Sequence, residues 1–278
     1  MVSTATSAGP VVGVLALQGG VAEHARMVEG LGARAVLVRR ADQLAGPHGP
    51  RVDALILPGG ESSAMDRLLR RLELFEPLRQ AIGSGVPTLG TCAGLILLAD
   101  RIRDPAPGQQ SLGLLDVTVA RNAFGPQLAS AEASFEVAGV SGSGEGGRVL
   151  GALIRAPEII EFGAGARPIA RESGRILGAT SNESSALGRI TGVAFHPELR
   201  GDAALHRALL ALAGPRGGAN GGQEKRTGRS ANRPRITSIA SGFSSTSTKR
   251  RPSSAAAAPV VPLPAKASST QSPGRDDA

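Results

Sequence analysis

Short apolar runs alternate with amphipathic stretches through the first half of the chain. Val11-Val-Gly-Val-Leu-Ala-Leu17 is closed by Gln18-Gly-Gly20, the pattern of a strand buried on both faces. A helix is expected over 21–31, a second strand over Ala33–Val38 and a third over Val52–Leu57, the last running into Pro58-Gly-Gly60. The helical stretch Ser63–Ile82 is expected to break before Pro77, because proline disfavours the helical conformation in the residue ahead of it. Val86–Leu89 reads as another buried strand, leading through Gly90-Thr-Cys-Ala-Gly94 into the apolar helix Leu95–Ala99. Such alternation predicts a parallel sheet with right-handed crossovers.

The second half changes rhythm. Leu114–Arg121, Ser134–Val137, Ala152–Arg155, Pro168–Glu172, Arg175–Thr180 and Ile190–Phe195 read as strands joined by turns, with Ser173-Gly174 as a two-residue hairpin turn. A last helix, Ala203–Leu212, would close the sheet. The expected fold is a single α/β domain over residues 11–213, with a mixed, mostly parallel sheet flanked by helices, after a loose start at 1–10.

Charge changes the picture only at the end of the chain. The 278 residues hold 31 Lys plus Arg against 23 Asp plus Glu, a net charge of +8, which read whole would suggest a nucleic-acid binder. Residues 1–213, however, hold 20 of each sign, so the excess sits entirely in 214–278. That tail is built from Gly, Ser, Thr, Pro and Ala with scattered Lys and Arg, and Phe243 is its one aromatic residue. Its composition buries too little apolar surface to offset ordering entropy, so disorder is expected. Without aromatic stacking platforms, no specific nucleic-acid binding is expected, only screened attraction to phosphates.

The single cysteine, Cys92, excludes an internal disulfide and a multi-cysteine zinc module. No apolar run reaches membrane-helix length, and nothing before Arg26 carries the positive charge of a secretory or transit leader. A cytoplasmic protein with no membrane association is expected.

Three groups at expected strand ends carry candidate chemistry, since ligands of parallel sheets collect at the carboxyl edge. Gly90-Thr-Cys-Ala-Gly94 has the form of a nucleophile elbow with cysteine in the serine place, the glycines permitting a sharp strand-to-helix turn. The plain alternative is a small buried core cysteine. Phe195-His-Pro-Glu198 sets His196 two residues from Glu198, on one side of an extended segment, so a carboxylate can orient an imidazole base. A surface turn with an N-capping carboxylate would also account for it. Leu57-Pro-Gly-Gly-Glu-Ser62 offers backbone N–H groups close to a ligand, or a simple turn with Ser62 as helix cap. His24, His48 and His206 lack a comparable partner pattern and read as ordinary helix or loop histidines.

Together these residues resemble class I (triad) glutamine amidotransferases, and within them the glutaminase subunits of pyridoxal 5′-phosphate synthase. The resemblance covers about 11–212: Gly13-Val-Leu-Ala-Leu-Gln-Gly19 with Glu23-His24, Leu55-Ile-Leu-Pro-Gly-Gly-Glu-Ser62, Gly90-Thr-Cys-Ala-Gly-Leu-Ile96, Arg121-Asn-Ala-Phe-Gly125, Ile154-Arg-Ala-Pro157 and Phe195-His-Pro-Glu-Leu199. The cysteine and the His-Pro-Glu pair are shared by many amidotransferases, whereas the remaining motifs select the subfamily. The resemblance implies a flavodoxin-like three-layer fold, Cys92 as nucleophile, His196 as general base and acid, and Glu198 as the orienting carboxylate. It further implies that Gly59, Gly60, Glu61 and Ser62 hold substrate, that Arg121, Ile154 and Arg155 line a glutamine pocket, and that Gly59, Gly60 and Ala93 supply the oxyanion site. Gln18 would sit near the site, on the face toward a partner. The implied activity is hydrolysis of L-glutamine to glutamate and ammonia without a metal or organic cofactor. The ammonia would pass to a synthase subunit in a hetero-oligomer that builds pyridoxal 5′-phosphate. Pro126 departs from the pattern, standing where a basic residue is expected. The readings left open are a glutaminase of another biosynthetic pathway, such as imidazole glycerol phosphate synthesis, and a non-specific nucleic-acid binder led by the tail.

Overall fold

The computed structural model describes residues 9–47, 49–121, 123, 130–142, 144, 148–183 and 187–213. The expectations for residues 1–8, His48, Asn122, Phe124-Gly125-Pro126 and the tail 214–278 lie outside them.

Strand β1 (Val11–Leu15) leads into helix α1 (Val21–Gly30), and β2 (Arg34–Val38) returns parallel to β1. A short hairpin of β3 (Ala45–Gly46) and β4 (Gly49–Pro50) precedes β5 (Ala54–Leu57). Helices α2 (Ser62–Arg71) and α3 (Phe75–Gly83) follow, then β6 (Thr88–Thr91) and α4 (Ala93–Leu98). The second half contributes β7 (Ala99–Arg103), β8 (Leu115–Ala120), β9 (Ser130–Val137), β10 (Val149–Ile154), β11 (Glu158–Phe162), β12 (Ala166–Glu172), β13 (Arg175–Ser181), β14 (Ile190–Val193) and helix α5 (Ala204–Ala213).

Among the described residues, twelve strands form one sheet. Its parallel part runs β2-β1-β5-β6-β14, and beyond β14 it continues antiparallel through β13, β12, β9 and β10. The parallel strands β1, β5 and β6 are buried at every position, which is why β1 and β5 read as unbroken apolar runs rather than alternations. Helix α1 packs on β1 and β2, α4 on β5, β6 and β14, and α5 on β5 and β6. The expected α/β architecture, a mixed sheet flanked by helices, is therefore observed. No helix among the described residues is long and apolar enough to cross a membrane.

One local expectation is corrected. The helical break falls at residues 72–74, where Glu73 takes φ 55°, and not directly before Pro77. Pro77 lies in the first turn of α3, where a missing N–H costs no intrahelical bond. Strands β7 and β11 were not announced by the sequence: Ala99-Asp-Arg-Ile-Arg103 is a charged strand that pairs, among the described residues, with β8 alone, so it lacks an apolar signature. The hairpin at Ser173-Gly174 is as expected, with φ 49° and 78° at its two turn residues, the left-handed pair that matches strand twist.

Candidate active site

Four neighbouring parallel strands, β1, β5, β6 and β14, deliver their carboxyl ends to one place. At the end of β6, Cys92 occupies φ 49°, ψ −102°, a strained conformation for a residue with a side chain. Two close approaches hold it there. A Cβ on Gly94 would overlap the Leu57 carbonyl of β5, and one on Gly90 would come 2.7 Å from the Gly94 carbonyl, so only glycines let the strand turn this sharply into α4. The Cys92 N–H donates to the Val193 carbonyl of β14 at 2.8 Å, tying the elbow to the strand that carries the next group.

Beyond β14, His196 is anchored to β10 by a pair of backbone bonds: its N–H donates to the Ala152 carbonyl (2.9 Å) and its carbonyl accepts the Ala152 N–H (3.1 Å). His196 and Glu198 do meet, Nδ1 to Oε1 at 2.7 Å, but not because the segment is extended. Pro197 is helical, at φ −67°, ψ −31°, and Glu198 opens a single 3₁₀ turn, so a tight bend brings the two side chains together. Glu198 is buried and faces the histidine rather than capping a helix. The cap before α5 is Asp202, whose Oδ1 accepts the Ala204 N–H at 2.9 Å.

Electrostatics follow from these contacts. Burial pushes the His196 imidazole down, yet its hydrogen bonds with Cys92 and Glu198, and their negative charge, raise it to about 10. Burial likewise raises Glu198, but donors from His196 and His24 outweigh it and bring the carboxyl to about 2. The arrangement sets the His196 imidazolium between the Cys92 side chain and the Glu198 carboxylate.

His24 and His206 lie in helices, as expected, but are not ordinary helix histidines. Both are fully buried; His24 Nδ1 lies 2.8 Å from His206 Nε2, and His24 Nε2 lies 3.2 Å from Thr91 Oγ1 and 3.5 Å from Glu198 Oε1. The available signal was positional: His24 shares the buried stripe of α1 with Val28, and His206 sits between Leu205 and Leu209 on the buried side of α5.

In the turn after β5, Glu61 rather than Ser62 caps α2, accepting the N–H groups of Ser63 (3.1 Å) and Ala64 (2.8 Å). Burial pushes the Glu61 carboxyl up, but these bonds, the Ser63 hydroxyl and the Arg121 guanidinium hold it below the usual carboxylate range. Arg121 bonds Glu61 Oε1 at 3.1 Å and Gln109 Oε1 at 2.7 Å, and Gln109 in turn donates to Ser62 Oγ at 3.0 Å. Gln109 escaped sequence reasoning because it lies in a polar loop without periodicity. Gln18 accepts the Glu61 N–H at 3.2 Å.

Every expected site residue except Ala93 lines a single cavity of about 620 Å³: the three triad candidates, the turn Gly59–Ser62, Gln18, and Arg121, Ile154 and Arg155. Ala93 is buried at the start of α4, directly after Cys92. The volume suits a small, polar metabolite.

Comparison with known proteins places the chain in a family. The model of the SNO glutamine amidotransferase family matches residues 14–210. A protein of Acidothermus cellulolyticus, "Pyridoxal 5′-phosphate synthase subunit PdxT", is 46% identical over 214 residues, covering 75% of this chain and 96% of that protein. The protein of the same name from Kineococcus radiotolerans is 48% identical over 210 residues, covering 74% and 95%. A solved structure described as a glutamine amidotransferase superposes with a TM-score of 0.61 at 38% identity, covering 73% of this chain and 98% of that one. A solved GMP synthase component from Thermoplasma acidophilum, at 16% identity and a TM-score of 0.50, shares the fold, covering 74% of this chain and 94% of that one. The chain belongs to the SNO glutamine amidotransferase family.

Proposed function

We propose that this chain is the glutaminase of a pyridoxal 5′-phosphate synthase, hydrolysing L-glutamine to L-glutamate and ammonia and handing the ammonia to a synthase subunit. The observation that carries the reading is the strained Cys92 beside the His196–Glu198 pair, in a cavity whose far side holds the Arg121–Glu61 pair. The names of its relatives supply the pathway.

In this reading, Arg121 and Glu61, with Gln109 behind them and Ile154 and Arg155 at the rim, receive the α-carboxylate and α-amino ends of glutamine. The side-chain carboxamide then faces Cys92. The thiolate attacks the carboxamide carbon, forming a C–S bond while the carbonyl oxygen takes the negative charge beside the N–H groups of Gly59, Gly60 and Ala93. Collapse of this intermediate breaks the C–N bond, and the His196 imidazolium gives its proton to the departing ammonia. His196, now neutral, removes a proton from water attacking the thioester, and glutamate leaves as the thiol is regenerated. Glu198 orients the ring and stabilises its charge throughout.

Residues 11–213 are proposed as the whole catalytic domain and the basic tail as an extension outside it. A reduced thiol at the centre of the chemistry suits the cytoplasm. The test is ammonia release from glutamine by the chain alone and with the partner synthase of a related organism. Low release alone and a marked rise with the partner are expected, since a Gly-Gly oxyanion turn is mobile enough to be completed by docking. No ammonia from glutamine in either arm would overturn the glutaminase reading, and equal rates in both would overturn the partner.

A further inference from the structure

Behind the triad, the buried histidines make a second layer whose proton positions follow from the contacts at its two ends. At one end, His206 Nδ1 is buried without a hydrogen-bond partner among the described residues. The adjacent carboxylate, Asp202, turns one oxygen to the Ala204 N–H (2.9 Å) and the other to the Leu150 N–H (2.8 Å). Orphaned buried N–H groups are rarer than orphaned acceptors, so Nδ1 carries no proton and the proton of His206 sits on Nε2. Its partner there is His24 Nδ1 at 2.8 Å, which must accept and leaves the His24 proton on Nε2.

At the other end, His24 Nε2 lies 3.5 Å from Glu198 Oε1. A lone pair facing a buried carboxylate would be repelled, whereas an N–H is attracted, so this end gives the same tautomer without reference to His206. The distance is long for a full hydrogen bond, and the proton is shared with Thr91 Oγ1 at 3.2 Å.

We propose that His206 and His24 form a one-way hydrogen-bond relay, His206 Nε2–H to His24 Nδ1 and His24 Nε2–H toward Glu198 Oε1, which makes His24 and His206 positioning residues for the carboxylate that orients His196. Glu198 Oε1 thereby faces a donor on each side, at 2.7 Å from His196 and 3.5 Å from His24. The charged or titratable groups facing His206 are His24, Glu198, Asp202 and Arg207, and burial holds its pKa down at about 3, consistent with a neutral ring. The proposal rests on the glutaminase reading for its catalytic consequence but not for its proton positions.

The primary test is therefore independent of turnover: long-range ¹H–¹⁵N correlation of the imidazole nitrogens in the full-length ¹⁵N-labelled protein at pH 7, with rings assigned through His24→Gln and His206→Gln. Both rings should be neutral with the proton on Nε2. An Nδ1–H tautomer or a doubly protonated ring at either position overturns the relay, whether or not the protein hydrolyses glutamine. If the tautomers hold and no ammonia is released, the glutaminase reading fails and the relay stands. In an active enzyme, His24→Leu should lower kcat about fivefold to tenfold with KM for glutamine within about twofold, and raise the acid limb of the kcat profile. His24→Gln, whose amide can reach the Nε2 position, should recover most of the loss. Equal kcat and pH profiles for the leucine variant and the unsubstituted enzyme would remove the positioning role.

Discussion

Gly59 lies beneath the His196 ring so closely that a Cβ there would overlap Cε1 and stand 2.9 Å from Nδ1. The turn after β5 thus does more than offer N–H groups: its lack of a side chain is what lets the imidazole settle against Glu198. Gly59→Ala should push the ring off that contact and lower kcat/KM at least about a hundredfold, the low range for losing a positioned general base. Overpacking of this kind costs about 1–3 kcal/mol, so the melting temperature should drop by several degrees while the protein stays folded. Turnover at the unsubstituted rate would show that the turn does not set the ring.

Because Cys92 is the single thiol in the chain, a glutamine-like electrophile should label the protein once. Cys92→Ala should abolish both labelling and ammonia release. His196→Asn should lose at least two orders of magnitude in rate, and Glu198→Gln less, since the base remains while its orientation weakens. Turnover by Cys92→Ala would end the covalent mechanism.

The parallel half of the fold was legible because its strands are buried on both faces and end in glycine-rich turns, so Val11–Leu17 and Gly90–Gly94 announced both structure and site. What stayed hidden had no local signature. Gln109 reaches Arg121 and Ser62 from a loop distant in sequence, and the pairing of His24 with His206 joins α1 to α5 across 182 residues. The His196–Glu198 contact was read correctly for a wrong reason, since alternation along a strand and a tight turn both bring residues two apart together.

The family match ends at residue 210, and α5 ends at Ala213, so a chain stopped after Ala213 keeps every described element that surrounds the site. It should fold and release ammonia at close to the full-length rate. Any effect of the tail on binding acidic surfaces should fade above about 0.15 M salt, where the Debye length is roughly 8 Å. The comparison is circular dichroism, glutaminase rate and polyanion binding for the two lengths. Loss of fold or catalysis in the shorter chain would move the domain boundary.

His206 predicts how stability responds to acid. Its folded pKa, about 3, lies below the unfolded value near 6.5, so between those limits the unfolded chain binds one more proton and stability rises with pH. The contribution is complete above 6.5 and lost progressively toward 3. Glu198, lowered to about 2, adds a second proton between about 4.5 and 2. Urea unfolding across pH 5–6 should therefore show a slope shallower by about 1.2 kcal/mol per pH unit in His206→Gln than in the unsubstituted protein. Parallel slopes would mean that His206 titrates alike in both states.

His196 shifts the other way, and the cause can be isolated. Burial alone would lower its pKa, so the value near 10 depends on Cys92 as hydrogen-bond partner and negative charge, with Glu198 assisting. A serine at position 92 keeps the shape of the elbow but supplies no negative charge, and the imidazolium then keeps only the Glu198 side of what holds its proton. In the unsubstituted protein the His196 ring should remain protonated at pH 8, ready to give that proton to departing ammonia; in Cys92→Ser it should be neutral there, with its midpoint displaced toward the ordinary value near 6.5. Imidazole NMR titrations of the two proteins make the comparison directly. Identical titration curves would show that Glu198 alone charges the ring.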